Sequence, residues 1–404
     1  MGRVILHCDC NSFFASVETA MNPEYRGVPM AVCGSVEERH GIVLAKNELA
    51  KRYGVQTAET VYSAKRKCPS LVIAKPHYEE YTKYSKRVNA IYARYTDLIE
   101  PFGIDESWLD VTASRKLFGT GEEIAERIRE EVKREIGITI SVGVSFNKAF
   151  AKLGSDYKKP DAVTVINEEN YQRIVYPLPI SDLLFVGRKT EQQLKNMGIR
   201  TIGELAATSL EFLVQRFGKM GELLHKYSNG KDDSPVTVPV EGECKSVGNG
   251  QTFRRDLLTR EEWRAGVDYL SDKIGARLRA IGMRCSTVSV SIRDEKLHSI
   301  QRQRPQHPPT DVASEIADTA FSIISDEWRE GDPIRTLTVT ASNLSKTDTL
   351  TEQINFFEDS NSSEHEKNQK RENAMDIIRQ KYGGNSITKG NLMASDLGMT
   401  ETER

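Results

Sequence analysis

The sequence predicts a mixed α+β protein of several domains, and three observations carry this prediction. The chain has 404 residues, a length usually divided into two to four domains. Strand-like and helical segments are interspersed as far as residue 166, whereas short helical patterns dominate residues 167–235. Residues 245–345 again mix both types, in a βαββαβ-like order.

In the first region, the apolar run "RVILHCDC" predicts a buried strand over residues 3–10, and Asn11 or Ser12 can cap the helix that follows. A charged helix is expected at about 121–136, where apolar residues recur at helical spacing. The other expected elements are strands at 27–34, 41–47, 138–145 and 162–166, a strand–turn–strand at 99–112, short helices at 50–55 and 62–69, and a helix from Tyr78 to Tyr95.

Beyond residue 166, glycine turns separate short helices, and the polar stretch at 228–243 has the composition of a linker. The last structured region is expected to contain strands that include 286–294 and 334–344, and helices at 260–280 and 310–329. The tail from residue 346 is polar, and we expect partial disorder there.

Composition describes an ordinary globular protein, with 38% hydrophobic and 28% charged residues. No apolar run is long enough to span a bilayer and no leader resembles a signal peptide, so no membrane partner is expected. The six cysteines are scattered without a CxxC pair. They predict reduced thiols in a cytoplasmic protein rather than disulfides or a metal site.

The formal net charge of −2 argues against a nucleic-acid partner, but the local distribution of charge differs. Residues 244–309 contain thirteen lysine and arginine residues against seven acidic residues, and ten of the thirteen are arginine. Arginine-rich segments suit contacts with phosphate groups. A solvated charged face is the alternative interpretation.

The candidate chemistry lies in three acidic residues that are far apart in the sequence. Asp9 ends the first strand, whereas Asp105 and Glu106 lie in the predicted strand–turn–strand. Strands of one sheet can bring these carboxylates together, and their repulsion would raise their pKa values unless a divalent cation binds. Oxygen ligands without histidine suit Mg²⁺, which leaves positions open for substrate phosphates. This arrangement is typical of two-metal phosphoryl transfer.

The alternative interpretation is that Asp9 caps the following helix and that Asp105 and Glu106 are polar residues of a turn with no metal bound. Lysines that can reach a triphosphate favour the metal hypothesis. Lys159 ends the lysine-rich segment before Pro160, and Lys51 lies in "NELAKRYG".

Four segments, taken together, resemble the motifs of Y-family translesion DNA polymerases, and the bacterial DNA polymerase IV (DinB) type fits best. They are "DCNSFFASVE", "FGIDESWLDVT", "SVGVSFNKAFAKLGSDYKKP" and "KSVGNGQTF", in matching order and spacing. The resemblance covers residues 1–345. It implies a right-hand polymerase with a palm (1–11 and 77–166), small fingers (12–76), a helical thumb with a helix–hairpin–helix (167–235), a C-terminal α+β little finger (242–345) and a flexible tail (346–404).

The resemblance also implies the roles of the site residues. Asp9, Asp105 and Glu106 would hold two Mg²⁺ ions, with the Cys10 carbonyl oxygen as a further ligand. Phe14 would be the steric gate, with its ring lying where a ribose 2′-hydroxyl would go. The other expected nucleotide contacts are Phe13, Lys51 and Lys159. Core packing is the alternative for one of the two phenylalanine rings.

The finger segment departs from the family pattern. Many relatives have Tyr and Arg three residues apart, contacting the triphosphate, and the matching positions here are Glu48 and Lys51. Lysine keeps the charge but loses the bidentate fork. Glu48 would repel a triphosphate, so we expect it to face elsewhere or to pair with a lysine.

The expected DNA contacts lie in the thumb and in the basic region. The usual Gly-x-Gly hairpin reads Phe185-Val186-Gly187, with one glycine lost. The hairpin residues Gly187, Lys189 and Thr190 are expected to bind DNA phosphates without reading sequence. In the basic region the expected phosphate contacts are Lys245, Arg254 and Arg255.

One tail segment, "TEQINFFED", stands out because it carries apolar residues in polar surroundings. Gln353, Ile354, Phe356 and Phe357 resemble the sliding-clamp-binding peptide of bacterial polymerases of this class. The alternative is that these residues fold back onto the little finger.

The resemblance therefore implies error-prone, template-directed translesion DNA synthesis, in which a dNMP is added to a primer 3′-hydroxyl without proofreading. The implied partners are primer-template DNA, dNTP and a sliding clamp, and a cytoplasmic monomer is expected. A palm-type nucleotidyl cyclase and a degenerate scaffold protein are the rival hypotheses. The DNA-binding regions argue against the first, and retention of all three acids argues against the second.

Overall fold

The structure is a computed structural model, and it divides the chain into two compact units. The first unit comprises Met1–Gly34 and Ile42–Val240, and the second comprises Ser35–Gly41 and Glu241–Arg404. The described residues are 2–37, 39, 41–239, 244–347, 359–384, 386–388, 390 and 396–399. Within those ranges, none of the helices has the length and apolar character that a bilayer crossing requires.

The first unit contains two sheets and a run of helices. As far as residue 92, its elements are β1 (Ile5–Cys10), α1 (Phe13–Met21), β2 (Met30–Cys33), β3 (Val43–Lys46), α2 (Glu48–Arg52), α3 (Val61–Lys67), β4 (Val72–Ala74) and α4 (Tyr78–Tyr92). They continue with β5 (Ile99–Pro101), β6 (Glu106–Asp110), α5 (Arg115–Phe118), α6 (Gly121–Ile136), β7 (Ile140–Ser145), α7 (Lys148–Tyr157) and β8 (Val163–Ile166). Five helices complete the unit: α8 (Tyr171–Val175), α9 (Arg188–Asn196), α10 (Ile202–Ala207), α11 (Leu210–Phe217) and α12 (Lys219–Ser228).

The larger sheet carries the acids, and its strand order is β5-β6-β1-β7-β8. β1 runs antiparallel to both β6 and β7, whereas β7 and β8 are parallel. The register places Asp9 opposite Glu106 on one side and Ser141 on the other. A smaller sheet, in the order β3-β2-β4, lies in the finger segment.

Alternation along β1 sends its side chains to two different faces of the sheet. Leu6, Cys8 and Cys10 are buried in the core that the sheet forms with α4 and α6. His7 and Asp9 take the opposite face, where their side chains meet residues of α7. Cys8 and Cys10 therefore point the same way and serve as core residues.

Helix α6 confirms the sequence prediction for residues 121–136. Thr120 and Glu123 form a reciprocal capping box, which is typically worth about 1 kcal/mol at a helix start. Gly137, with φ 80°, ends the helix in the left-handed conformation that glycine adopts at little cost. The buried apolar residues follow helical spacing along one face and include Ile124, Ile128, Val132 and Ile136.

Helix α7 packs directly on the backbone of β7, and a glycine makes this possible. A Cβ atom at Gly143 would lie 1.9 Å from the carbonyl oxygen of Ala151 and 2.5 Å from the backbone nitrogen of Ser155. No side chain fits in that space. The close approach sets α7 over the face of the sheet that carries His7 and Asp9.

The polar stretch that the sequence predicted as a linker is anchored to the first unit over its described part. It has no regular secondary structure from residue 231 to 239. The Asp232 carboxylate accepts a hydrogen bond from the Ala149 backbone N–H at 3.2 Å, and the Thr237 N–H donates to Glu100 at 2.7 Å. Val236 is buried beside Trp108 and Ile5.

The second unit has the βαββαβ order that the sequence predicted. Its elements are β9 (Ser246–Leu257), α13 (Arg260–Ala280), β10 (Met283–Arg293), β11 (Ser299–Thr310), α14 (Ala313–Glu327), β12 (Ile334–Lys346) and α15 (Asp359–Tyr382). The four strands form an antiparallel sheet in the order β11-β10-β12-β9. β11 has the sequence "SIQRQRPQHPPT", whose prolines and polar residues suit an edge strand and hide it from an apolar pattern.

The predicted flexible tail needs correction, because residues 359–382 form helix α15. Arg279 of α13 is buried and pairs with Glu372 at 2.7 Å and with Asp376 at 2.6 Å. Arg379 also pairs with Asp272 at 2.8 Å. The sequence of this helix is mostly polar, and for that reason its composition suggested disorder. The ion pairs that hold it involve residues of α13 and α14, which are far away in the sequence.

We predict that Gly143→Ala lowers the free energy of unfolding by about 1–3 kcal/mol or more, because the new methyl group must push α7 off β7. Gly187→Ala is the matched control, since a Cβ there meets no atom within 4 Å. Chemical denaturation of both variants checks this. Equal stability of the two variants would contradict the close approach of α7.

Candidate active site

The three predicted acids lie together at one end of the larger sheet. Asp9 is the direct partner of Glu106 across the β1–β6 pair, and Asp105 precedes Glu106 at the start of β6. The Asp105 backbone carbonyl accepts a hydrogen bond from the Cys10 N–H at 2.9 Å. Asp9 is buried, and Asp105 and Glu106 are half-buried. The pairing of strands far apart in sequence therefore gathers all three carboxylates.

Two lysines from α7 and the loop after it reach into this acidic group. Lys159 Nζ lies 2.8 Å from Asp9 Oδ2 and 2.6 Å from Asp156 Oδ1. Lys152 Nζ lies 3.3 Å from Asp9 Oδ2 and also donates to Glu106 Oε2. Lys159 was expected here. Lys152 was not, although the helical run "NKAFAKLGSDYKKP" signalled several lysines close to one another.

His7 is a second residue that the sequence analysis missed. Its imidazole is fully buried, with Nε2 at 3.3 Å from Glu106 Oε2 and Nδ1 at 2.8 Å from the Ser155 hydroxyl oxygen. The available signal was its position two residues before Asp9, which puts both side chains on one face of β1. His7 links the acidic group to α7.

The pKa values of the acids report how they interact. Burial would raise the pKa of Glu106, but contacts with His7 and Lys152 lower it to about 2. The pKa of Asp105 is raised, first by burial and then by the charges of Asp9 and Glu106. Asp105 is therefore harder to ionise than a free aspartate, whereas Glu106 is easier to ionise than a free glutamate.

Burial and the nearby charges also shift the pKa values of Lys152, Lys159 and His7. Burial opposes the charge of Lys152 and of Lys159, yet the surrounding carboxylates raise the pKa of both. For Lys152 the largest of these effects comes from Asp156, and for Lys159 it comes from Asp9. Burial lowers the pKa of His7 in spite of the nearby acids.

This donor set fits a divalent cation. Ligand atoms of His7, Asp9 and Glu106 all lie within 4.8 Å of one another, and Asp105 is held beside them against repulsion from Asp9 and Glu106. A divalent cation would relieve that repulsion. The sequence predicted a metal site with oxygen ligands and no histidine. The structure differs from this prediction, because a His7 nitrogen lies beside Asp9 and Glu106. Cys10 directs its thiol to the core, so its backbone alone faces this site.

A cavity of about 380 Å³ adjoins the acids and collects the predicted nucleotide contacts. Its lining includes Asp9, Cys10, Phe13, Phe14, Lys51, Asp105 and Lys159, together with Ser12, Lys46 and Thr57. Two carboxylates, Asp9 and Asp105, and three lysines, Lys46, Lys51 and Lys159, therefore line the same space. Lys46 was not identified from the sequence, although it lies only five residues before Lys51.

The two phenylalanines have different surroundings. Phe13 is buried in the core of the larger sheet, with 3% of its surface exposed. Phe14 is half-buried, and its ring stacks on Tyr81 with 4.1 Å between the centroids and 11° between the planes. The Tyr81 hydroxyl donates to the buried Glu18 carboxylate, which is also 2.9 Å from His77 Nδ1. Phe14 is therefore a braced ring at the cavity wall.

Glu48 adopts one of the two arrangements that the sequence analysis allowed. Its carboxylate pairs with Lys51 at 2.5 Å, and the Ser12 hydroxyl lies 3.4 Å from the same oxygen. Lys51 thus lines the cavity with its charge already balanced by a neighbour.

The thumb residues expected to bind DNA lie on the surface, away from the cavity lining. Gly187 is the N-cap of α9 and is exposed, as is Lys189, and Thr190 is half-buried. Phe185 has φ 70°, the left-handed conformation that a glycine would adopt without strain. A non-glycine residue therefore occupies a left-handed backbone position in this hairpin.

In the second unit, Lys245, which precedes β9, and Arg254 on β9 are exposed. Arg255 on β9 is also exposed, and it forms ion pairs within the chain. Its guanidinium lies 2.6 Å from Glu262 and 2.8 Å from Asp396. Other arginines of the basic region are paired in the same way, including Arg264, Arg279, Arg302 and Arg304. These ion pairs therefore neutralise part of the positive charge that was counted over residues 244–309. The predicted clamp-binding residues Gln353, Ile354, Phe356 and Phe357 lie outside the described residues.

Comparisons with known proteins agree with this architecture. Residues 8–156 match the model of the impB/mucB/samB family, and residues 244–356 match that of the impB/mucB/samB family C-terminal domain. Residues 181–232 match the DNA polymerase-iota thumb domain.

Similar proteins cover nearly the whole chain. DNA polymerase IV of Acetivibrio thermocellus is 47% identical over 400 residues, which is 99% of each chain. DNA polymerase IV of Clostridium kluyveri is 36% identical over 397 residues, covering 97% of this chain and 99% of the relative. Among solved structures, a Y-family DNA polymerase chimera of Dbh and Dpo4 superposes with a TM-score of 0.75 and 25% identity, covering 84% of this chain and 98% of the chimera. With these relatives and these family matches, the chain belongs to the impB/mucB/samB family of Y-family DNA polymerases.

Proposed function

We propose that this enzyme carries out template-directed translesion DNA synthesis by two-metal transfer of a dNMP to a primer 3′-hydroxyl, without proofreading. Membership of the family makes it a DNA-directed DNA polymerase. The observation that carries this proposal is a cavity lined by Asp9 and Asp105, by three lysines and by the braced ring of Phe14, with Glu106 paired to Asp9 across the sheet. Such a cavity matches a nucleoside triphosphate, with its metal-binding phosphates and its sugar.

In this proposal Asp9, Asp105 and Glu106, with the Cys10 carbonyl oxygen, hold two Mg²⁺ ions. When bound, these ions lower the pKa of the attacking hydroxyl and neutralise charge on the phosphates. Lys152 and Lys159 screen the repulsion among the acids, and Lys159 lies in the cavity wall where it can donate to a triphosphate. His7 holds Glu106 in place from the buried side.

Phe14 is proposed as the steric gate against ribonucleotides. A gate works only if its ring cannot retreat, and Tyr81 stacks against Phe14 while its own hydroxyl is fixed by Glu18. An extra 2′-hydroxyl would then clash with a ring that is supported from behind by Tyr81. Phe13 supports the wall from the core.

The remaining proposals rest chiefly on the sequence resemblance. DNA phosphates would bind Gly187, Lys189 and Thr190 in the thumb, and Lys245 and Arg254 in the basic region. Arg255 contributes less, because two carboxylates already neutralise it. We also infer a cytoplasmic monomer that is tethered to a sliding clamp through residues 353–357, and synthesis without a proofreading site.

We predict that Glu106→Ala reduces single-nucleotide addition about a thousandfold or more, since loss of metal-bound charge costs several kcal/mol of transition-state stabilisation. DNA affinity should change little, because the acid serves the metals and not the duplex. Primer extension and equilibrium DNA binding measure the two effects.

Glu122→Ala, at an exposed position on α6, is the matched control and should extend primers normally. Near wild-type extension by Glu106→Ala would show that the metal assignment is wrong.

Phe14→Ala should admit ribonucleotides and lose most of the discrimination between sugars, because the braced ring is removed. The readout is the ratio of kcat/KM for dNTP and rNTP in single-nucleotide incorporation. Phe13→Ala is the control: its ring is buried in the core, so it should lower stability by about 3–5 kcal/mol and leave discrimination largely intact. The opposite pattern would make Phe13 the gate.

The double variant Phe356→Ala with Phe357→Ala should lose clamp-stimulated synthesis and keep unstimulated extension. Short peptides of this kind place most of their affinity in a few apolar anchors, and a tether raises the local concentration of the polymerase. Extension on a primed circle with and without loaded clamp measures the effect. Equal stimulation of both proteins would refute the clamp assignment.

A further inference from the structure

Lys46 is a second cation of the finger segment that faces the candidate nucleotide cavity. It ends strand β3, and the cavity lining includes Lys46 together with its neighbours Leu44 and Ala45. Lys51 and Lys159 line the same cavity. Three lysines therefore line one space together with Asp9 and Asp105, and Lys159 is already paired with Asp9.

The ammonium group of Lys46 has a neutral partner. Its Nζ donates to the Thr57 hydroxyl at 2.9 Å. Over the described part of the chain, no carboxylate lies within ion-pair distance of this nitrogen. Burial and then the charge of Lys51 lower the pKa of Lys46, outweighing the opposite effects of Glu48 and Glu59. The site thus has a surplus of positive potential that an anion would relieve.

Lys51, in contrast to Lys46, has a charged partner. Glu48 balances its charge at 2.5 Å, and the resulting pair lies half-exposed beside the cavity. A phosphate group that approaches Lys51 meets the Glu48 carboxylate as well, and must compete with it for the ammonium group. Glu48 and Lys51 occupy the positions at which many relatives have Tyr and Arg, so this competition accompanies the departure from the family pattern.

We propose that Lys46 is the main finger cation for the nucleotide triphosphate in this chain, and that Glu48 weakens triphosphate binding by holding Lys51. This inference rests on the proposed nucleotide function of the cavity. An ammonium group with only a neutral hydroxyl as partner gains a charge-assisted hydrogen bond from phosphate without breaking an ion pair. Lys51 can make the same bond only by giving up Glu48.

The test compares affinity for inorganic triphosphate, measured by calorimetry with the full chain in the presence of Mg²⁺. Lys46→Met removes the charge and keeps most of the side-chain stem; it should weaken binding by about tenfold or more. Lys46→Arg should restore most of the affinity. Glu48→Gln should strengthen binding severalfold, since it removes a negative charge and releases Lys51.

Two controls separate charge from structure. Lys65→Met removes an exposed lysine of α3 that does not line the cavity, and it should leave affinity unchanged. Thr57→Val removes the hydrogen bond of Lys46 but not its charge, and it should change affinity less than about threefold. If Thr57→Val weakens binding as much as Lys46→Met, Lys46 has only a structural role. Equal affinities of Lys46→Met and Lys65→Met, weaker binding by Glu48→Gln, or no triphosphate binding by the wild type would each overturn the proposal.

Single-nucleotide incorporation distinguishes this inference from the proposed function. Lys46→Met should raise KM for dNTP about tenfold and change kcat much less, because the Lys46 ammonium group bonds to Thr57 and, among the described residues, pairs with none of the metal-binding acids. A wild type that binds triphosphate through Lys46 but extends no primer would refute the proposed synthesis and leave the lysine assignment standing. A wild type that extends primers, with KM unchanged in Lys46→Met, would refute the lysine assignment alone.

Discussion

The antiparallel pairing of β1 with β6 is the constraint on which the rest of the site depends. Its register places Asp9 opposite Glu106, with Asp105 adjoining. A slip of one residue would turn Asp9 into the core and bring a cysteine to the site, because strand side chains alternate between faces. The buried side chains of β1 in the core below the sheet hold that register. The contact of α7 with Gly143 then sets where Lys152 meets the acids.

The cost of burying charge indicates that this group of residues serves a function rather than the stability of the fold. Buried charges are costly unless they are paired, and apolar residues of similar size would stabilise the fold at least as well. Here Lys152 and Lys159 pair with Asp9, Lys152 and His7 contact Glu106, and the pKa of Asp105 is raised by burial and by its neighbours. A cluster of charged groups with shifted pKa values beside a cavity is typical of a functional site. The neighbouring cavity combines Asp9 and Asp105 with the braced Phe14 ring and with Lys51, whose charge Glu48 balances.

Local patterns predicted most of the fold, and the misses share a physical cause. The capping box and glycine end of α6 lie within the helix's own sequence, so its bounds were predictable, and the same holds for α13. Helix α15 depends on partners on α13 and α14, so its polar sequence suggested disorder. The acids were recognisable because metal chemistry needs those residue types. His7, Lys152 and Lys46 were not, because burial and tertiary approach give an ordinary histidine or lysine its role. The ion pairs of the basic region were not predictable either, since its arginines pair with acids of other segments.

The central claim is that the three carboxylates together hold the divalent cations of nucleotidyl transfer. Its most direct test is an equilibrium count of Mn²⁺, used as a spectroscopic substitute for Mg²⁺, in the complex with matching dNTP and a primer-template whose primer lacks the 3′-hydroxyl. The account predicts two bound ions per wild-type chain at this site and fewer in Asp9→Asn, which keeps the shape of the side chain and removes its charge. An unchanged count in Asp9→Asn would contradict it.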